Sequence, residues 1–197
     1  MKYFKKLDLP IYQNVLGELE QLLNSGKINW GRQNQICLNT TTDFPDSFLL
    51  GAGSLEFDWS KVNNQTAQSG VVKQSVPLKD VILNESDFTE LCPQFEGTVF
   101  EKIYHDLKSR YHLGRIRIIK SEPKSCMSWH YDRTPRIHLP IKTQEGCFMV
   151  INDEVAFLEA NTWWGTNTVL KHTAFNGSRA SRIHLVAVIL DCEYDNF

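Results

Sequence analysis

Three side chains carry the clearest chemistry in this chain. His130 and Asp132 lie in Ser128-Trp129-His130-Tyr131-Asp132, and His172 opens His172-Thr173-Ala174-Phe175-Asn176 far downstream. Two imidazoles and one carboxylate leave coordination positions open, which is the donor set of non-haem iron(II) oxygenases. Metal binding requires neutral imidazoles and an ionised carboxylate, so affinity should fall in acid. The plainer alternative is a strand histidine that is merely hydrogen-bonded, and a lone His-x-Asp does not separate the two.

The neighbours add weight. Arg182 enters Arg182-Ile183-His184-Leu185-Val186-Ala187-Val188-Ile189-Leu190, an otherwise largely apolar strand. A charge there needs a partner, because an unpaired buried charge is costly. A planar guanidinium matches a carboxylate in bidentate fashion; the alternative is a strand-end arginine in solvent or paired with Glu or Asp. In Arg136-Ile137-His138-Leu139-Pro140-Ile141, Arg136 and His138 share one face and the aliphatic residues the other. That face has the parity of His130 and Asp132, and its groups suit a second carboxylate beside a metal; a solvated face is the competing reading.

These residues need elements to hold them. Alternate residues on a strand point the same way, so His130 and Asp132 can aim into one cavity, with His172 supplied by another strand packed opposite. From Gly114 the chain reads as strands: Arg115–Lys120, Pro135–Ile141, Cys147–Ile151, Val155–Glu159 and Arg182–Leu190, with a hairpin turn at Asn152-Asp153-Glu154. Short strands at this spacing predict a sandwich or barrel. The first half supplies helices over 11–25 and 95–112, ending near Gly26 and Gly114. It also offers strand candidates at Gln35–Asn39, Ser54–Trp59 and Gly70–Val76 and a loop at 61–70.

Bulk properties narrow the classes. At 197 residues, 42% hydrophobic and 22% charged, the chain is of ordinary globular composition and expected to form one domain over 1–197, with helices and accessory strands in 1–113 and the β core in 114–190. A net charge of −2 gives no general reason to expect nucleic acid or a membrane as partner. No apolar run approaches the roughly 18 residues of a span. Five scattered cysteines without a C-x-x-C, and an opening MKYFKKLDLP without an apolar leader, give the expectation of a cytoplasmic protein with reduced, buried thiols.

Taken in order, His130-x-Asp132, Arg136-x-His138-Leu139-Pro140-Ile141, His172-Thr173-Ala174-Phe175-Asn176 and Arg182-Ile183-His184-Leu185 resemble the aspartyl/asparaginyl β-hydroxylase family of Fe(II)/2-oxoglutarate-dependent dioxygenases over about residues 114–190. The resemblance implies a mostly β, cupin-like fold with flanking helices, the double-stranded β-helix or jelly roll. It implies Fe(II) on His130, Asp132 and His172, and 2-oxoglutarate held at its distal carboxylate by Arg182. Arg136 and His138 match family positions at the co-substrate pocket, and His184 a position where related enzymes often place a second such side chain. Molecular oxygen completes the reactants. The implied substrate is an aspartyl, asparaginyl, prolyl or related side chain in a peptide or small molecule. The chain retains in Asp132 the carboxylate that some members lack. Two other readings fit: a cupin-like metalloenzyme that does not use 2-oxoglutarate, and a non-catalytic jelly-roll binding or structural protein.

Other residues are read more plainly. Trp129, Trp163 and Trp164 are expected in core packing more than in a substrate cleft. Asn176 is placed to orient the turn after His172. The cluster Arg110, Arg115, Arg117, Lys120 and Lys124 invites a nucleic-acid reading, but a solvated outer face explains Arg115 and Arg117 more simply. Val188 stands where nucleic-acid demethylases of the superfamily tend to carry a second arginine. Gln33, Gln35 and Asn39 are polar groups within reach of a substrate, with nothing in the sequence to single them out.

Overall fold

The computed structural model describes residues 1–53, 55 and 83–197. In chain order these form β1 (Phe4–Lys6), α1 (Val15–Asn24), β2 (Gln35–Cys37), β3 (Asn39–Thr40), β4 (Glu90–Leu91), α2 (Val99–Lys108), β5 (Leu113–Ser121), β6 (Ser125–Cys126), β7 (Arg136–Lys142), β8 (Cys147–Ile151), β9 (Glu154–Ala156), β10 (Trp164–Thr166), β11 (His172–Asn176) and β12 (Arg182–Ile189). Apart from Leu55, the strands expected at Ser54–Trp59 and Gly70–Val76 and the loop at 61–70 lie outside the described residues.

The larger sheet runs β1-β10-β7-β12-β5-β2 and the smaller β6-β11-β8-β9, antiparallel throughout, with β3 and β4 as a separate pair. Two antiparallel sheets enclosing a cavity make the double-stranded β-helix, a cupin-like jelly roll.

Alternation on the larger sheet explains where everything goes. Ile116, Ile118, Ile137, Leu139, Ile183, Leu185, Ala187 and Ile189 point outward from the barrel and form one core with Leu19 and Leu22 of α1 and Phe100, Ile103 and Leu107 of α2. Their polar neighbours, Arg115, Arg117, Arg136, His138, Arg182 and His184, are thereby turned into the barrel, because successive side chains take opposite faces. Met149, Ile151, Ala156, Leu158, Phe4 and Trp164 form a second apolar cluster that joins β8 and β9 of the smaller sheet to β1 and β10 of the larger.

The helices are shorter than their periodicity suggested. Asn14 takes a left-handed conformation (φ 56°), so α1 starts at Val15, and Ile11 stays exposed. Thr98 caps α2 by accepting from the Phe100 amide at 3.2 Å, and Pro93–Phe95 forms a separate 3-10 turn. The strand expected over Val155–Glu159 is the three-residue β9, paired with β8 across the Asn152-Asp153 turn. Pro140 sits in a central strand, where its missing N–H would break the ladder. The β7–β12 register slips there, with His184 opposite Pro140 and Ile183 opposite Lys142.

Candidate active site

His130 and His172 face each other across a single antiparallel bridge: the His130 amide donates to the His172 carbonyl at 3.0 Å and the His172 amide returns the bond at 2.9 Å. Their rings are 4.1 Å apart between centroids. His172 therefore lies beside His130, not on a strand packed opposite as expected, and Asp132 lies on an extended segment outside any strand. The Asp132 amide donates to the Thr168 carbonyl at 2.9 Å, which fixes the turn of the segment towards the cavity. The ligand atoms of His130, Asp132 and His172 all lie within 4.8 Å of one another.

The hydrogen bonds settle which ring nitrogens carry protons. A carbonyl only accepts, so His130 Nδ1 donates to Ser128 O at 2.8 Å and His172 Nδ1 to Leu170 O at 2.9 Å. In each neutral ring Nε2 then carries the free lone pair, and that of His172 lies 3.6 Å from Asp132 Oδ2. Burial holds the His172 imidazole below its ordinary pKa, against the opposing pull of the Leu170 carbonyl and Asp132. Three acceptors converging without a proton between them repel one another unless a cation sits among them, so the donor set fits a divalent metal. The other Asp132 oxygen accepts from Arg136 at 3.2 Å. Arg136 spends further donors on Thr134 O and Oγ1, both at 2.6 Å. Its guanidinium thus orients the cluster carboxylate.

Across the cavity the pattern inverts. Arg182 donates from its terminal nitrogen to His184 Nδ1 at 3.0 Å. A guanidinium cannot accept, so Nδ1 is the acceptor and the proton sits on His184 Nε2. That Nε2 is buried without a partner among the described residues, as are both ring nitrogens of His138. The two rings stand edge to face at 5.9 Å. Burial first, and then the Arg182 charge, hold both imidazoles well below the usual histidine range, so both are neutral. Burial pushes Arg182 down to about 10, which leaves it charged at neutral pH. Arg182 meets no carboxylate among the described residues. Orphaned donors around a cation without a carboxylate among the described residues fit an anion such as a carboxylate.

Asn176 serves the turn between these walls. Its amide donates to Ser121 O at 3.1 Å and Ala180 O at 2.8 Å, and its oxygen accepts from Ser178, which delivers β12 to Arg182 in register.

Both groups open into one cavity of about 910 Å³, which also receives Gln33, Gln35, Glu85, Arg115 and Arg117. This corrects the outer-face expectation for Arg115 and Arg117, since β5 lies in the sheet with its arginines inward. Arg115, 4% exposed, is clamped by Glu85 at 2.7 Å and by the Gly51 and Gly53 carbonyls. Gly51 permits the approach: its φ is +74°, and a Cβ there would lie 2.9 Å from the Arg115 Cδ. Asn39 is instead a buried stitch, donating to Phe88 O and Gly114 O and accepting from the Ile116 amide. Trp163 and Trp164 are core residues, whereas Trp129 is 51% exposed with Lys171 over its ring. Cys37, Cys92 and Cys147 are buried; Cys126 is exposed and Cys192 half-buried, and all five thiols are free.

A jelly roll with this cavity defines a cupin-like protein built around a prospective metal centre. The family model for aspartyl/asparaginyl beta-hydroxylase matches residues 12–191, and the chain belongs to that family, making it a hydroxylase-type cupin enzyme. No curated protein matches in a sequence search. Among solved structures, AviO1 from Streptomyces viridochromogenes Tue57 aligns over 97% of this chain and 91% of its own at 11% identity and a TM-score of 0.46. An oxidoreductase of the 2OG-Fe(II) oxygenase family from Burkholderia pseudomallei aligns over 49% of this chain and 55% of its own at 15% identity and a TM-score of 0.37. A cupin domain from Bordetella pertussis Tohama I covers 38% of this chain and 79% of its own at 13% identity and a TM-score of 0.34. No helix among the described residues is long and apolar enough to cross a membrane.

Proposed function

We propose that this protein is an Fe(II)- and 2-oxoglutarate-dependent dioxygenase that hydroxylates an aspartyl, asparaginyl, prolyl or related side chain in a peptide or small molecule. The observation that carries the reading is the Arg182–His184 pair: a charged guanidinium that meets no carboxylate among the described residues, beside a neutral imidazole whose Nε2–H has no acceptor among them. A carboxylate of 2-oxoglutarate satisfies both at once, and charge-assisted bonds of this kind are roughly twice as strong as neutral ones.

In this reading His130 and His172 give their Nε2 lone pairs to iron, and the Ser128 and Leu170 carbonyls keep the protons on Nδ1. Asp132 gives one oxygen, and Arg136 holds the other so that the carboxylate cannot rotate away. Bound iron(II) supplies the activation of dioxygen by which one substrate C–H bond is oxidised. Arg182 and His184 fix the distal end of the co-substrate, and His138 offers a further neutral donor beside it. Burial of this wall keeps water from competing for those donors.

The test is release of succinate from 2-oxoglutarate by purified protein with Fe(II) and ascorbate, which uncoupled turnover produces even before a substrate is known. Metal uptake without 2-oxoglutarate affinity would instead assign a metalloenzyme of another kind. Failure to bind either would assign a non-catalytic jelly roll.

A further inference from the structure

The charges on the cavity wall do not balance. Arg115 is paired with Glu85 and Arg136 with Asp132, while Asp191 at the rim is taken by His112 at 2.7 Å. Two guanidiniums remain without a carboxylate among the described residues, Arg182 and Arg117. The co-substrate answers to the first. Arg117 donates to two neutral oxygens, Gln35 Oε1 at 3.1 Å and Gly53 O at 3.3 Å, and its buried Nε has no partner among the described residues. Burial, with Arg115 alongside, pushes its pKa down to about 10, so it remains a cation at neutral pH.

One diacid cannot serve both arginines. Arg182 lies opposite Ser121 on β5, four residues along from Arg117, or roughly 13 Å at strand spacing. A five-carbon diacid pinned at Arg182 and reaching for the His130–Asp132–His172 cluster does not extend that far as well. Arg117 and His138 flank Val186 from the two neighbouring strands, which puts them about 10 Å apart. An anion on Arg117 therefore leaves the rest of its molecule lying across the sheet towards His138 and the cluster.

We propose that Arg117 and Gln35 form a second anion subsite, which holds an oxyanion of the primary substrate (a carboxylate, sulfate or phosphate group) while the rest of that molecule faces the cluster. The assignment of this anion to the substrate rests on the dioxygenase reading above. Gln35 is suited to the task because it orients the guanidinium without neutralising it. Its Oε1 is itself held by the Gly53 amide at 3.0 Å. Arg115 adds positive potential but is committed to Glu85, so the incoming anion pairs with Arg117. A neutral amide or ester in the same place would leave Arg117 unpaired, and such a site rejects the analogue that lacks the matching group.

The test is a titration of the 197-residue chain with inorganic sulfate, without metal or 2-oxoglutarate, following the arginine Nε–H signals by NMR. Wild type should show two saturable responses. Arg182→Gln should retain the Arg117 response and Arg117→Gln the Arg182 response. Gln35→Glu, which supplies an internal carboxylate and removes no guanidinium, should weaken sulfate binding at Arg117 at least tenfold and leave Arg182 unchanged. Repeating the titration with acetate and with phosphate tells a carboxylate substrate from a phosphorylated one by which saturates Arg117 at the lower concentration. An Arg117 signal that sulfate does not move, or a response undiminished in Gln35→Glu, overturns the subsite. Protein that makes succinate but shows no Arg117 response keeps the dioxygenase reading and loses this one; the converse result removes the dioxygenase reading and leaves an anion site.

Discussion

The two walls of the cavity use the same residue types to opposite ends. On the wall formed by residues 130–132 and β11, His130 and His172 each donate a hydrogen bond from Nδ1–H to a backbone carbonyl and present a lone pair at Nε2. On the floor formed by β7 and β12, His184 accepts a hydrogen bond at Nδ1 from Arg182 and presents its Nε2–H. The difference lies wholly in what touches Nδ1. A carbonyl makes an imidazole a metal ligand; a guanidinium makes it an anion donor. Among the described residues one wall lacks a cation and the other lacks an anion; in the proposed reading a metal would complete the first and the co-substrate carboxylate the second. The arginines follow the same division, since Arg136 is spent on Asp132 while Arg182 is held in reserve.

Removing a lone pair from the first wall should do the most damage. His172→Ala is expected to abolish iron retention and succinate release together, measured by metal analysis after desalting and by turnover. A variant that keeps its metal would take His172 out of the cluster. Removing the charge from the second wall should act differently. Arg182→Gln should keep the metal and raise the 2-oxoglutarate requirement by roughly 10- to 100-fold, because a hydrogen bond to a charged group contributes about 1.5–3 kcal/mol. Equal loss of metal in this variant would mean that the walls are not separable. Arg136→Gln sits between them. With Asp132 losing its brace, iron affinity should fall about tenfold at unchanged 2-oxoglutarate KM. A raised KM with intact metal affinity would move Arg136 to the co-substrate, the role that the family resemblance implies for it.

Much of this was legible in the sequence because β periodicity is simple. Cys147–Ile151 has the expected bounds, β12 ends one residue early, β7 is displaced by one residue at each end, and β5 gains two residues at its start and one at its end. His130, Asp132, His172, Arg182 and His184 meet in one cavity. What alternation cannot say is which face is inside. Arg115 and Arg117 share a face by spacing alone, yet only the helices covering Ile116 and Ile118 turn that face into the barrel. Gln35 joined the site through a register with Ile119 that is set by tertiary pairing. Trp129 was expected to pack by residue type, but the His130–His172 bridge directs it outward. Short pieces such as β1, β6 and β10 are two or three residues long, too brief for a period to register. The left-handed Asn14 that delays α1 interrupts an intact apolar pattern.

The smallest expected effect tests the protonation states on which the contrast rests. His138 and His184 have folded pKa values well below 6.5, so the fold refuses protons that the unfolded chain accepts at about 6.5. The unfolded state then binds more protons, and stability is lost as pH falls from 6.5 towards the folded values, with no contribution from these groups above about 7.5. Each fully depressed histidine contributes at most about 1.4 kcal/mol per pH unit in that window. Urea denaturation at pH 7.5, 6.5 and 5.5 should show this loss in wild type. His184→Gln, which can still accept from Arg182 and donate from its amide, should reduce the slope by one histidine's share. His172 and the carboxylates are common to both proteins and drop out of the difference. Identical slopes would mean that His184 takes up its proton in the folded state, in which case Arg182 cannot be donating to Nδ1 and the floor of the cavity loses its neutral donor.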